Sequence, residues 1–161
     1  MCGIVGYLGP SQAAPVLLNE LKCLEYRGYD SAGVAVIEEG RLCVLKAAGK
    51  LSNLEALLDN KRPKARVGIG HTRWATHGIP NDQNAHPHTD ATGTLAVVHN
   101  GIIENHEELR EELKGLGYEF ASETDTEVIV HLVSHEYAKD ADLLHSILRA
   151  VQRLAGNFAL G

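Results

Sequence analysis

Segments that read as strands and segments with helical spacing come in pairs along this chain, not in strict β-α-β alternation. That order favours an α+β fold over a doubly wound parallel sheet. Cys2 to Gly9 reads as a short buried strand stopped by Gly9-Pro10. A helix follows from about Gln12 to Glu25, with Leu17, Leu21 and Leu24 at helical spacing and Pro15 in its first turns. Ser31 to Ile37 and Arg41 to Ala47 read as a hairpin around Glu-Glu-Gly. Ser52-Asn53-Leu54-Glu55 has the capping-box pattern of a helix start. Two further strands are predicted over Arg66 to Thr72 and Thr94 to His99. The stretch between them, Arg73 to Gly93, is long and rich in His, Asn, Asp and Pro, and loops of that length in a compact domain are often functional. Helices are then predicted from Asn105 to Leu116, from a Thr124-x-x-Glu127 cap to Tyr137, and from Leu143 to Leu154. A brief strand is expected at Tyr118 to Ala121 and the opening of another at Gly156 to Gly161.

With 161 residues, 44% of them hydrophobic and 22% charged, the chain can build one domain with a real core. The net charge of −6 gives no electrostatic basis for nucleic acid or an acidic membrane surface as a partner. No apolar run approaches the ~20 residues of a membrane helix, and MCGIVGYLGP lacks the basic start of a signal peptide. Cys2, Cys23 and Cys43 are odd in number and form no C-x-x-C pair, so a reducing, cytoplasmic setting is expected rather than a disulfide framework. His131 and His135 share a helical face and His86 and His88 flank a proline, but no third ligand falls at metal-binding spacing.

Cys2 directly follows the initiator methionine. Removal of Met1 would give it a free α-amine with a pKa of about 7.7–8.0 beside a thiol near about 8.5, close enough to exchange a proton near neutrality. The thiol would then carry its own general base. Taken alone, Cys2 reads more readily as a small buried hydrophobe opening a strand.

Six stretches change that balance: Cys2-Gly3-Ile4-Val5-Gly6, Glu25 through Gly33, His71 through Gly78, Asn84-Ala85-His86-Pro87-His88, Val98 through Asn105, and Ser122 through Glu127. In order and spacing they resemble the glutaminase domains of the glucosamine-6-phosphate synthase family, the glutamine–fructose-6-phosphate aminotransferases (isomerizing), over essentially the whole chain. The resemblance implies an N-terminal nucleophile (Ntn) hydrolase-type fold, a four-layer αββα sandwich with antiparallel sheets. It implies a class II glutamine amidotransferase, in which Cys2 attacks L-glutamine and no metal or organic cofactor is needed. Asn100 and Gly101 would form the oxyanion hole, Arg73 would hold the substrate α-carboxylate, and Asp125 its α-ammonium. Thr76, His77 and His86 match positions at or near the glutamine pocket, Trp74 the gate for ammonia, and Arg27 an arginine near the nucleophile. The released ammonia would convert fructose 6-phosphate to glucosamine 6-phosphate in synthase domains, in homo-oligomeric family members. Residues 1–161 would be an incomplete glutaminase domain, ending before the family's last strands and without the two sugar-phosphate isomerase-type domains.

Without the resemblance, Asn100-Gly101 is a hairpin-turn signal, Arg73 a surface ion-pair residue and Asp125 a first-turn acid favoured by the helix dipole. Three other readings stay open at this point: a different class II amidotransferase, a non-catalytic remnant, and a fragment that does not fold stably.

Overall fold

The computed structural model describes residues 2–161. Four strands form an antiparallel sheet in the order β1 (Gly3–Leu8), β4 (Val67–Arg73), β2 (Ser31–Glu38), β3 (Arg41–Ala48). Helices α1 (Ala13–Cys23) and α2 (Leu51–Lys61) cover one face. Because side chains alternate along a strand, the registers Val5↔Gly70, Val34↔Gly70 and Val34↔Leu45 put one apolar set on that face. Leu17, Leu21, Val34 and Leu54 are fully buried there, each stabilising the fold by roughly 1.5–3 kcal/mol relative to exposure.

The opposite face meets a second β layer made of two short ladders. One pairs β5 (His88–Thr89) with β6 (Ala96–Val97), the other β7 (His99–Gly101) with β8 (Phe158–Leu160). Val98 exchanges both backbone hydrogen bonds with Gly161, so residues 96 to 101 run as one extended segment between β5 and β8. Helices α3 (His106–Gly115), α4 (Thr126–Asp140) and α5 (Leu143–Arg153) complete the outer layer, with α4 packed on β5 and β6. The layers therefore run helix, sheet, sheet, helix. Among the described residues no helix is long and apolar enough to cross a membrane.

The predicted hairpin is present: Glu39 and Gly40, both at positive φ, join β2 to β3 in a two-residue turn. Four local expectations are corrected. The predicted strand over Thr94 to His99 is divided between β6 and β7, because its partners lie in different parts of the chain. Tyr118 to Ala121 is irregular: the Tyr118 N–H closes back on the Leu113 carbonyl at the end of α3, and side chains hold Ala121 and the residues just after it. Glu127 accepts from the Ala121 and Ser122 N–H groups, and Arg110 donates to the Ser122 and Thr124 carbonyls. Neither capping box forms. The residue preceding α2 is Lys50, not Ser52, and the Thr124 hydroxyl pairs with Ser122 and His88 while Asp125 occupies the cap position of α4. Finally, Asn100-Gly101 lies within β7 and is not a hairpin turn.

Candidate active site

The register of β1 on β4 sets Gly3 opposite Thr72, so Cys2 falls beside the end of β4, where Arg73 leads into the loop. There the Trp74 N–H donates to the Cys2 thiol sulfur (3.2 Å), and the thiol faces the Trp74 carbonyl oxygen at 3.5 Å. The Arg27 guanidinium and the Asn100 side-chain amide both approach the Cys2 carbonyl oxygen, at 3.4 and 3.5 Å. A cavity of about 420 Å³ opens here, and every residue selected from the sequence for the site lines it.

Arg73 is buried. Its Nη2 donates to the His77 and Gly78 carbonyls, while Nη1 has no hydrogen-bond partner and lies 3.9 Å from Asp30 Oδ1. Burial works against this charge, and the nearby Asp30, Asp125 and Glu123 carboxylates favour it. Asp125, also buried, uses one carboxylate oxygen to accept from the Ile103 N–H (2.9 Å) and makes no cap bond to its own helix. Thr76 is exposed, with its hydroxyl 3.3 Å from His77 Nδ1, and the His77 ring stands edge-on to His106. Trp74 lies at the exposed rim. Gly101 adopts φ 125°, and a Cβ there would lie 2.9 Å from Phe158 Cα and against the Asn157 carbonyl oxygen. Only glycine suits that backbone and that approach.

Behind the cavity lies a group of buried histidines. His71 stacks on His86 at 4.2 Å between ring centroids, and His86 meets His88 edge-on at 4.8 Å. The Thr126 hydroxyl lies 2.8 Å from His86 Nε2 and 2.9 Å from His99 Nδ1. Burial disfavours the charged imidazole. It lowers His71 to about 4 and His88 to about 3, and it pushes His86 and His99 down as well. These rings are neutral at neutral pH. His86 is thus buried in this group while still contributing to the cavity wall.

Three residues that organise the site had no assigned part in the sequence reading. Asp30 accepts from the Ala75 N–H and the Ser31 hydroxyl, fixing the start of the loop after β4. Lys46 crosses from β3 to the carbonyls of Gln83, Ala85 and Pro87 (3.1, 2.8 and 3.4 Å), tying the middle of that loop to the sheet. His71 holds Asn100, at 2.9 Å. Lys46 carried a signal, being a lone cation inside the apolar run Leu42 to Ala48.

Comparisons with known proteins agree with this architecture. A family model described as a glutamine amidotransferase domain matches residues 71–161. The glutamine–fructose-6-phosphate aminotransferases [isomerizing] of Aquifex aeolicus and Symbiobacterium thermophilum are both 60% identical to the chain over 99% of its length, and that of Pyrococcus horikoshii is 52% identical. The chain spans about a quarter of the length of these curated relatives, 26–27%. A solved glutamine phosphoribosylpyrophosphate amidotransferase from B. subtilis, complexed with ADP and GMP, superposes with a TM-score of 0.84 at 26% identity, covering 99% of this chain and 34% of that one. A structure of the allosteric regulatory enzyme of purine biosynthesis superposes with a TM-score of 0.86, also at 26% identity and with the same coverage. The expected Ntn hydrolase-type sandwich and the family resemblance are both borne out: the chain belongs to the glutamine amidotransferase domain family.

Proposed function

We propose that residues 1–161 act as a glutaminase, releasing ammonia from L-glutamine with the Cys2 thiol as nucleophile. The observation that carries this reading is the meeting of Cys2, Asn100, Gly101, Arg73 and Asp125 around one cavity. The buried Arg73 Nη1 lacks an acceptor, and a substrate α-carboxylate would supply one. Asp125 retains a second carboxylate oxygen for an α-ammonium. Together these two charges would select an amino acid over a simple amide. Thr76, His77 and His86 would shape the rest of the glutamine pocket.

The chemistry requires a free Cys2 amine, hence loss of Met1, which lies outside the described residues. The amine takes the thiol proton and sulfur attacks the side-chain carbonyl carbon. The Asn100 amide and the Gly101 N–H stabilise the oxyanion, where one donor is typically worth ~10²–10³ in kcat. The protonated amine then gives its proton to the leaving nitrogen, and ammonia departs. Water hydrolyses the glutamyl thioester to glutamate and regenerates the thiol. All three cysteines are free thiols, which fits work in a reducing cytoplasm.

We further propose that the ammonia serves amination of fructose 6-phosphate, the sugar in the relatives' names, in synthase domains beyond residues 1–161, with Trp74 gating its exit. The 52–60% identity to those relatives favours that acceptor over the phosphoribosyl acceptor of the structural neighbour at 26%. The test is intact mass before and after incubation with 6-diazo-5-oxo-norleucine. A single adduct on Cys2, formed on chains lacking Met1 and blocked by excess glutamine, is the expected result. A folded, processed sample that forms no adduct would refute the reading.

A further inference from the structure

We propose that His71 is a positioning residue that sets which way the Asn100 side-chain amide faces, and so determines whether the oxyanion hole presents a donor; this rests on the glutaminase reading above.

His71 Nε2 lies 3.0 Å from the main-chain carbonyl oxygen of His99 and 2.9 Å from the Asn100 amide. A carbonyl oxygen can only accept, so Nε2 must carry the proton. The Asn100 atom facing that N–H must then be the carbonyl Oδ1, which leaves Nδ2 on the Cys2 side, 3.5 Å from the Cys2 carbonyl oxygen. An amide flipped the other way would set N–H against N–H at His71 and aim a carbonyl oxygen at the developing oxyanion.

The ring is held against turning. It is completely buried in the middle of the sheet, at the β4 position opposite Ile4 and Gly33, and is stacked on His86, which the Thr126 hydroxyl fixes. His71 Nδ1 is buried and has no partner. A ring proton there would be an unsatisfied donor, which opposes both the other tautomer and the imidazolium. The bond at Nε2 is therefore an N–H donor of fixed direction, supplied by β4 to β7 across the two sheets.

Two measurements test this. The first needs no catalysis. Long-range ¹H–¹⁵N spectra of the resting protein at neutral pH should show His71 neutral with its proton on Nε2. An Nδ1–H tautomer or an imidazolium would overturn the proposal. The second compares glutamine hydrolysis by His71→Leu and His71→Gln. The leucine variant should lose kcat toward the ~10²–10³-fold cost of a missing oxyanion donor, with KM for glutamine little changed, because Arg73 and Asp125 are untouched. The glutamine variant, whose amide nitrogen can replace Nε2–H, should recover most of kcat. Equal losses in both variants at matched thermal stability, or a loss expressed in KM, would refute the positioning role. Absence of glutamine hydrolysis in the unsubstituted protein would refute the glutaminase reading instead, and the tautomer would still decide this one.

Discussion

The two faces of the four-stranded sheet are built from the same strands and could hardly differ more. Toward α1 and α2 the strands present Val5, Tyr7, Ala32, Val34, Val36, Cys43 and Leu45, a packed apolar layer. Toward the second β layer they present Ser31, Gly33, Lys46, His71 and Arg73. The first face gains stability by removing area from water. The second places polar groups out of water, which is unfavourable unless each finds a partner. Some do, as Lys46 does with three carbonyls. Others do not: His71 Nδ1, Arg73 Nη1, His86 Nδ1 and His99 Nε2 are buried without partners around the cavity. The lesson is that one sheet carries both an apolar foundation and the polar wall of the cavity, with alternation along each strand keeping them apart.

A pair of substitutions separates the faces most sharply. Gly33 is on the polar face, and a Cβ there would lie 2.6 Å from Lys46 Cβ and inside contact distance of the His86 backbone oxygen. Backbone cannot swing aside as a side chain can, so Gly33→Ala should force the two β layers apart. It should abolish Cys2 labelling and lower stability by at least the ~1–3 kcal/mol of ordinary overpacking. Leu21→Ala on the apolar face should cost about 2–5 kcal/mol and leave the rate per folded molecule unchanged. Denaturant unfolding together with the labelling rate checks both. If Leu21→Ala changed the labelling rate of folded protein, the two faces would not be separable.

Acid provides a graded test, small at its onset. His71 and His88 are lowered to about 4 and about 3 by burial, against about 6.5 in an unfolded chain. Below about pH 6.5 the unfolded chain binds protons that the folded one refuses, so their contribution is complete above that pH. It is lost as pH falls toward 4 for His71 and toward 3 for His88, on the order of a few kcal/mol for each. Glu127 acts lower. Burial raises its carboxyl, but the approach of His131 and hydrogen bonds from Ser122 and Ala121 outweigh that and bring it to about 2. Its contribution, present above about 4.5, fades between there and 2. Stability measured by urea titration should thus begin falling near pH 6.5, before any carboxylate protonates. A flat profile from pH 7 to 5 would mean that the histidines are already hydrated in the folded state.

What the sequence disclosed divides along the same line as the two faces. The apolar face was legible because Leu17, Leu21 and the β2–β3 hairpin follow local periods that a single segment reveals. Arg73, Asn100 and Asp125, which the structure brings to one cavity, were singled out through their motifs, not through any period. The polar interior's supports were not legible. His71 meets partners 28 and 29 positions away, and Lys46 meets carbonyls 37 to 41 positions away. Such pairings depend on how the layers stack. The same distance effect explains why Thr94 to His99 divided into two strands, since β7 pairs with β8 near the other end of the chain.

The smallest expected effect is at the end of the hairpin remote from the site. Glu39 holds φ 50°, a left-handed backbone that costs a residue other than Gly, Asn or Asp roughly 1–2 kcal/mol. It is followed by Gly40 at φ 76°, the pair of positive φ values a two-residue turn of this kind requires. Asn tolerates that conformation because its short side chain can hydrogen-bond locally, and it keeps a Cβ, so it adds less unfolded-state entropy than Gly would. Glu39→Asn should therefore raise stability by a few tenths to about 1 kcal/mol. Ser31 and Ala48, which flank the Arg73 end of the sheet, lie at the other end of the same two strands. Neither Cys2 labelling nor its block by glutamine should change. A gain in stability with unchanged labelling would show that the hairpin tip stabilises the sheet without reaching the polar face. A changed labelling rate would mean that twist introduced at the turn travels the length of β2 to Ser31 and Arg73, and the separation of the two faces would then hold across the sheet but not along it.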